Sequence, residues 1–103
     1  MLIVPLQATP NQAVRVQLND QNCQINVYQK DQGLFLDLLV DNAPMVMGVI
    51  CQRDNRVVRD AYLGFAGDLL WGDIQGTDDP EYLGIGSRYL LAYLFPEEVA
   101  ALS

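Results

Sequence analysis

With 103 residues, 13 acids against six bases and no histidine, the chain is sized for one domain, residues 1–103, with one core. A net charge of -7, with Lys30 the single lysine, works against phosphate-rich partners, because nucleic-acid affinity comes largely from cationic contacts. The missing histidine removes the commonest general base at neutral pH, and with it hydrolases built on Ser-His-Asp or Cys-His pairs.

Met1 to Leu6 has no basic n-region and meets Pro5 too early for a signal-peptide core, so no targeting signal is expected. The longest apolar run, Tyr89 to Phe95, spans seven residues. A bilayer needs roughly 20, which predicts a soluble protein without a membrane partner. Cys23 and Cys51 have no metal-ligand spacing and no histidine to join them, so both read as packed, reduced thiols, with a disulfide or a redox role as the alternative.

In chain order, Leu2 to Leu6 reads as a short strand, with Pro5 suited to a strand end or an edge. After the turn at Ala8 to Gln12, residues Ala13 to Leu18 alternate, with Val14, Val16 and Leu18 on one face and Arg15 and Gln17 on the other. The cluster Asn19 to Asn22 ends that strand. Gln24 to Tyr28 alternates again, and Lys30-Asp31-Gln32-Gly33 closes a predicted hairpin. The third alternation, Leu34 to Val40, carries apolar residues on both faces, since Phe35 and Leu39 flank Asp37 on the second. Such a strand is central in a closed barrel or sandwich, or has its outer face covered by a partner.

Asp41 to Pro44 reads as the next turn, and Met45 to Cys51 as an apolar strand with a bulge or bend at Gly48. Gln52 to Arg56 reads as a polar loop or turn, Val57-Val58 as the resumption of a strand, and Asp60 to Asp68 is punctuated by glycine. Leu69 to Ile74 is a strand holding the single tryptophan, Trp71. Then comes the densest turn chemistry of the chain. Asp79-Pro80-Glu81 is a helix-start signal, with Asp79 expected to cap and proline placed where no donor is needed. Gly84 stops that helix after one turn, Gly84-Ile85-Gly86 frees the backbone, and Ser87 to Phe95 runs on as a strand. Pro96 to Leu102, with acids at its start, predicts a short terminal helix.

Six to eight short strands, separated by turn clusters about every eight to twelve residues, predict an all-β barrel or sandwich with a one-turn helical elbow near residue 80. Its chemistry is sparse. Gly84-x-Gly86 lacks the third glycine of a dinucleotide fingerprint. The acids Asp68, Asp73, Asp78, Asp79 and Glu81 suit turns and caps better than a cation loop, whose spacing they do not match. Neither a cofactor nor a metal is expected. Arg59 and Arg88 sit in otherwise apolar segments, where a bidentate partner such as Asp78 or Asp79 would offset burial; the alternative is two exposed arginines with ordinary surface pairs. Tyr62, Tyr82, Tyr89 and Tyr93 read either as core and rim residues or as interface anchors.

Several segments together resemble a known family. Asn22 to Gln29, Leu34 to Leu38, Arg59 to Phe65, and above all Gly76-Thr77-Asp78-Asp79-Pro80 with Tyr82, Gly84, Gly86, Arg88 and Tyr89 are similar to the small baseplate plug proteins of contractile-tailed bacteriophages, first typified in a cyanophage tail. The likeness runs over about residues 20 to 94, and neither the first 18 residues nor those after Phe95 carry any of it. It implies a non-catalytic virion protein at the tail tip, made in the host cytoplasm and assembled against the hub, tube or spike. It also implies a copy number of three or six, and the expected contact residues are Phe35, Leu39, Tyr62 and Tyr93. Two other readings stand beside it: a free-standing β-barrel module for a ligand or peptide, and an acid-rich metal-dependent enzyme.

Overall fold

The computed structural model describes residues 1–52, 56–58, 65–76 and 78–101. Its strands are β1 (Leu2–Ile3), β2 (Asn11–Leu18), β3 (Gln21–Lys30), β4 (Gly33–Val40), β5 (Ala43–Ile50), β6 (Asp68–Asp73) and β7 (Tyr89–Leu94), followed by helix α1 (Pro96–Ala101). They form two antiparallel sheets, one of four strands in the order β2-β3-β4-β5 and one of three in the order β1-β7-β6. Neither sheet closes on itself, so of the two expected all-β architectures the fold is the open sandwich and not the barrel.

Alternation builds the four-stranded sheet. On β3, Cys23, Ile25 and Val27 are buried, as are Leu34, Leu36 and Leu38 on β4. They face Leu69 and Trp71 of β6 and Leu91 and Tyr93 of β7 in one continuous core. Each fully buried aliphatic side chain contributes about 1.5–3 kcal/mol of transfer free energy. No helix among the described residues is long and apolar enough to cross a membrane.

The meander from β2 to β5 is made by three tight turns, at 19–20, 31–32 and 41–42, and the first and last of them take left-handed backbone. Asn19 and Asp20 have φ of 53 and 62, Asp41 and Asn42 have 52 and 67, and Leu18 pairs with Gln21 as Val40 pairs with Ala43. These are two-residue turns of the type whose twist matches the flanking strands, and Asn and Asp tolerate the left-handed backbone they require. The polar clusters 19–22 and 41–44, expected to be turns throughout, therefore spend only two residues each on turning. Gln21, Asn22, Ala43 and Pro44 already belong to strands, and Pro44 sits on an edge strand where a missing donor is tolerated.

The bend expected at Gly48 is present. Pairing of β4 with β5 slips on either side of Leu38, Gly48 has φ +66, and its amide donates to Asp37 Oδ1 at 2.7 Å. Asp37 also accepts from the Tyr28 hydroxyl at 2.9 Å and faces the Asn26 amide at 3.4 Å. A buried carboxylate on the outer face of the sheet is thus satisfied by three donors, one of them the bulge itself.

Beyond β5 the expectations hold unevenly. Val57 and Val58 do not form a strand of their own. Arg56 makes a single bridge to Leu70, and the Val57 amide donates to the Leu69 carbonyl at 2.9 Å, which covers the outer edge of β6. Buried Asp68 accepts from the amides of Val58 at 2.8 Å and Leu69 at 2.7 Å. Arg59, Asp60, Ala61, Tyr62, Leu63 and Gly64 lie outside the described residues, and with them the expected contact residue Tyr62. The last strand begins at Tyr89, not Ser87, because Gly86 to Arg88 are still turning. The terminal helix forms as expected. Glu97 and Glu98 stand in its first turn, and Glu98 reaches back to the Phe95 amide at 3.0 Å while also pairing with the Met1 amino group at 2.7 Å.

Candidate functional site

Between β6 and β7 the chain makes a long excursion, residues 74 to 88, and the predicted elbow lies in it. A 3-10 turn spans Tyr82–Gly84, and its N-cap is Glu81, without a side-chain cap. The cap expected at Asp79 is therefore corrected: the turn begins two residues later, with buried Pro80 between. Backbone bonds then chain the segment together, from the Ile85 amide to the Tyr82 carbonyl at 3.2 Å, from Arg88 to Gly84 at 2.8 Å and from Gly86 to Tyr89 at 3.0 Å. Tyr82, partly buried against the core, donates its amide to Gln29 Oε1 at 3.2 Å and so ties the elbow to the other sheet.

Two glycines are needed here for different reasons. Gly84 has the Tyr89 ring against it, and a Cβ at this position would lie 2.5 Å from Tyr89 Cδ2 and Cε2. Gly86 has φ +90 with more open surroundings, so it is required for its backbone conformation.

Arg88 is clamped. Its Nε donates to Asp73 Oδ1 at 2.9 Å and its Nη2 to Asp73 Oδ2 at 2.8 Å, the fork geometry of the strongest arginine pairs. Nη2 also reaches Asp78 Oδ2 at 2.8 Å. Of the partners expected, Asp78 is found, as the outer and exposed one. The bidentate partner is Asp73 at the end of β6, whose side chain is fully covered. Asp73 in addition accepts from the amides of Gln75 and Asp78, both at 2.9 Å. The guanidinium stacks over the Tyr89 ring, 5.0 Å from its centroid. Sequence reasoning missed Asp73 because the pair is fifteen positions apart. The available signal was a hairpin register that places Asp73 opposite Tyr89.

The Arg88 guanidinium holds the Asp73 carboxyl well below the usual carboxylate range, outweighing the opposing effect of desolvation. A carboxyl whose folded pKa is depressed contributes stability that is full above its unfolded pKa, about 3.9, and is lost as pH falls below it. The stability difference between the wild type and Asp73→Asn, read from urea midpoints, should therefore shrink steadily as pH is lowered from about 5 towards 2. A pH-independent difference would show that the pair does not hold the elbow by charge.

The four expected contact residues have different fates. Phe35 and Leu39 project from the outer face of β4, half-buried. Phe35 stacks on Tyr28 with ring centroids 6.1 Å apart, and the Lys30 ammonium lies over both rings. Exposed Met47 and Ile50 from β5 extend this apolar face. Tyr93 is corrected: it is wholly buried, its ring meets Phe65 and Phe95 edge-on, and its hydroxyl donates to the Ala66 carbonyl. It is a core residue with a satisfied polar tip and offers a partner no surface. Other exposed apolar side chains are Met1, Leu2 and Ile3 at β1, and Ile74 and Leu83 on the elbow excursion.

Remaining chemistry is limited. Cys23 and Cys51 are both buried free thiols, and burial pushes the Cys51 thiol up to about 12, with Trp71 partly opposing it. Thiols so far from thiolate character are poor nucleophiles. No group of three or more His, Cys, Asp or Glu among the described residues is placed to hold a metal ion. An open depression of about 450 Å3 at one end of the four-stranded sheet is lined largely by polar residues, among them Arg15, Gln17, Asn22, Gln24 and Asp41. Binding sites for small ligands are mostly apolar and enclosing, so the depression lends no support to the ligand-module reading.

Fold and elbow together define a small open β-sandwich in which a forked arginine–carboxylate cluster braces a loop, with apolar side chains left on its outer faces. The chain belongs to the family described as cyanophage baseplate Pam3 plug gp18, whose model matches residues 1–97. The match takes in β1, β2 and the start of α1, so the likeness is wider than the segment from residue 20 to 94. No curated protein matches the chain. Membership gives the protein a structural role in the baseplate of the virion tail, in association with other baseplate components.

Proposed function

We propose that the chain is a non-catalytic plug at the tail tip, captured during assembly in the host cytoplasm by the hub or spike and by the first ring of the tail tube. The observation that carries this reading is the family match over residues 1–97. The surface supports it. Phe35, Leu39, Met47 and Ile50 form an apolar outer face on one sheet, and contiguous apolar patches on small proteins usually mark contacts. The clamped elbow suits the same role, because a loop fixed by a covered carboxylate and a forked arginine is ordered before it meets a partner, which lowers the entropy cost of docking. A part on the tail axis takes a copy number compatible with the symmetry around it, and three or six fits a three-fold hub and a six-fold tube.

Co-expression with the neighbouring tail genes tests the proposal. The chain should co-purify with hub or tube components in three or six copies per complex, and Met47→Lys with Ile50→Lys should release it. A chain that binds none of the adjacent tail proteins would overturn the reading.

A further inference from the structure

We infer that the unassembled chain pairs with a second copy of itself through the free edge of β2, strand to antiparallel strand, about a two-fold axis at Val14. A sheet edge is a row of unpaired main-chain groups, and natural proteins usually blunt such rows. Three of the four edges among the described residues are blunted. β1 is only two residues long. The edge of β6 is covered by Arg56 and Val57. On β5, Pro44 opposite Leu39 lacks an amide, and the bulge at Gly48 turns its amide inward to Asp37. β2 is a regular strand of eight residues without proline, glycine, bulge or cover, and its one blunting feature is the charge of Arg15.

The phase of its hydrogen bonds follows from the turn. In a two-residue hairpin the residues flanking the turn, Leu18 and Gln21, exchange main-chain hydrogen bonds, and such pairs recur at every second position. Leu18, Val16, Val14 and Gln12 are thus bonded to β3, which agrees with the Gln29 amide donating to the Pro10 carbonyl one step further on. Asn11, Ala13, Arg15 and Gln17 direct their N–H and C=O groups away from the sheet. Only the Asn11 carbonyl has a further contact, at 3.5 Å from the Thr9 hydroxyl.

That set is self-complementary. With the axis at Val14, Asn11 meets Gln17 of the second copy and Ala13 meets its Arg15, each pair occurring twice, so all four outward residues find partners in one register. Arg15, the strand's single charge, faces alanine and not another arginine. On the inner face Val14 meets its own copy. Val14 and Val16 are half-buried apolar residues packed at the margin of the core, and pairing covers what they leave exposed. The contact joins two four-stranded sheets into one of eight. It rests on sheet geometry and is independent of the plug reading, since a two-fold across the contact does not fit the polarity of a tail axis.

Sedimentation of the full chain over a range of concentrations at low salt tests this. The wild type should show a monomer–dimer equilibrium. Ala13→Arg, at an exposed position, sets arginine against Arg15 twice and should weaken the dimer by roughly two- to thirtyfold, and Ala13→Glu should tighten it by a similar factor. A chain monomeric at all concentrations, a trimer, or a dimer indifferent to both Ala13 variants but dissolved by Met47→Lys would each overturn the inference.

Discussion

Replacing Trp71 with alanine is expected to lower stability by about 3–5 kcal/mol, the range seen when a large aromatic core residue is truncated. Trp71 is fully buried on the middle of β6, opposite Leu91 of the last strand, where both sheets supply the surrounding side chains. For a domain of this size that loss is a large share of a total stability of about 5–15 kcal/mol, and each kcal/mol lowers Tm by roughly 4–8 °C. Trp71→Phe should cost much less, for two reasons. The ring keeps most of the packing, and the indole N–H has no oxygen or nitrogen partner, only the weakly accepting Cys51 thiol beside it. Removing it leaves no oxygen or nitrogen acceptor stranded. Thermal unfolding followed by far-ultraviolet circular dichroism distinguishes the two, and equal losses would show that the N–H, not the ring volume, carries the site.

The strands were legible because their signal is local. Alternation on Val14, Val16 and Leu18, on Ile25 and Val27, and on Leu34, Leu36 and Leu38 follows from the two-residue period of a pleated strand, and all of these face the core, Val14 and Val16 half-buried at its margin and the others buried. What failed was the length of the turns. Asn19 to Asn22 is polar throughout, and composition does not say which two of four residues take left-handed backbone; the tightness of the turn decides that. Tyr93 was misjudged on the same ground, since a tyrosine in an apolar strand reads equally as core or contact. Its place follows from β7 being the central strand of its sheet, with the Ala66 carbonyl waiting for its hydroxyl.

Non-local pairs were the hardest to read. A one-turn elbow near residue 80 is legible because its turn chemistry lies in one continuous segment, although its cap is Glu81 and not Asp79. The carboxylate that grips Arg88 from beneath belongs to the preceding strand, and only the pairing of β6 with β7 brings the two together. Asp37 is a similar case. In the sequence it is the polar residue on a half-apolar face, and in the fold it pins the bulge that closes the β5 edge. That closure leaves β2 as the open edge.

Gly67→Ala is expected to be among the most damaging single substitutions, at about 2–6 kcal/mol, because two penalties coincide there. The backbone has φ +98, and an added Cβ would fall 2.6 Å from the Tyr93 hydroxyl and 2.8 Å from Tyr93 Cζ, with the Leu94 carbonyl oxygen closer still. Neither neighbour is free to give way. Tyr93 is buried and hydrogen-bonded to Ala66. The Ala66 backbone is gripped in turn by the Gln21 amide, through its N–H at 2.9 Å and its carbonyl at 3.1 Å. Leu94 pairs with Asp68 in the ladder. Gly86→Ala is the matched control, since Gly86 has φ +90 but a Cβ there meets nothing nearer than the Leu6 carbonyl at 3.6 Å. It carries the backbone penalty alone, about 1–3 kcal/mol. Urea denaturation of the two variants side by side separates backbone strain from close approach. Gly67→Ala should unfold at clearly lower urea, and coincident midpoints would mean that the Tyr93–Leu94 wall yields to a methyl group.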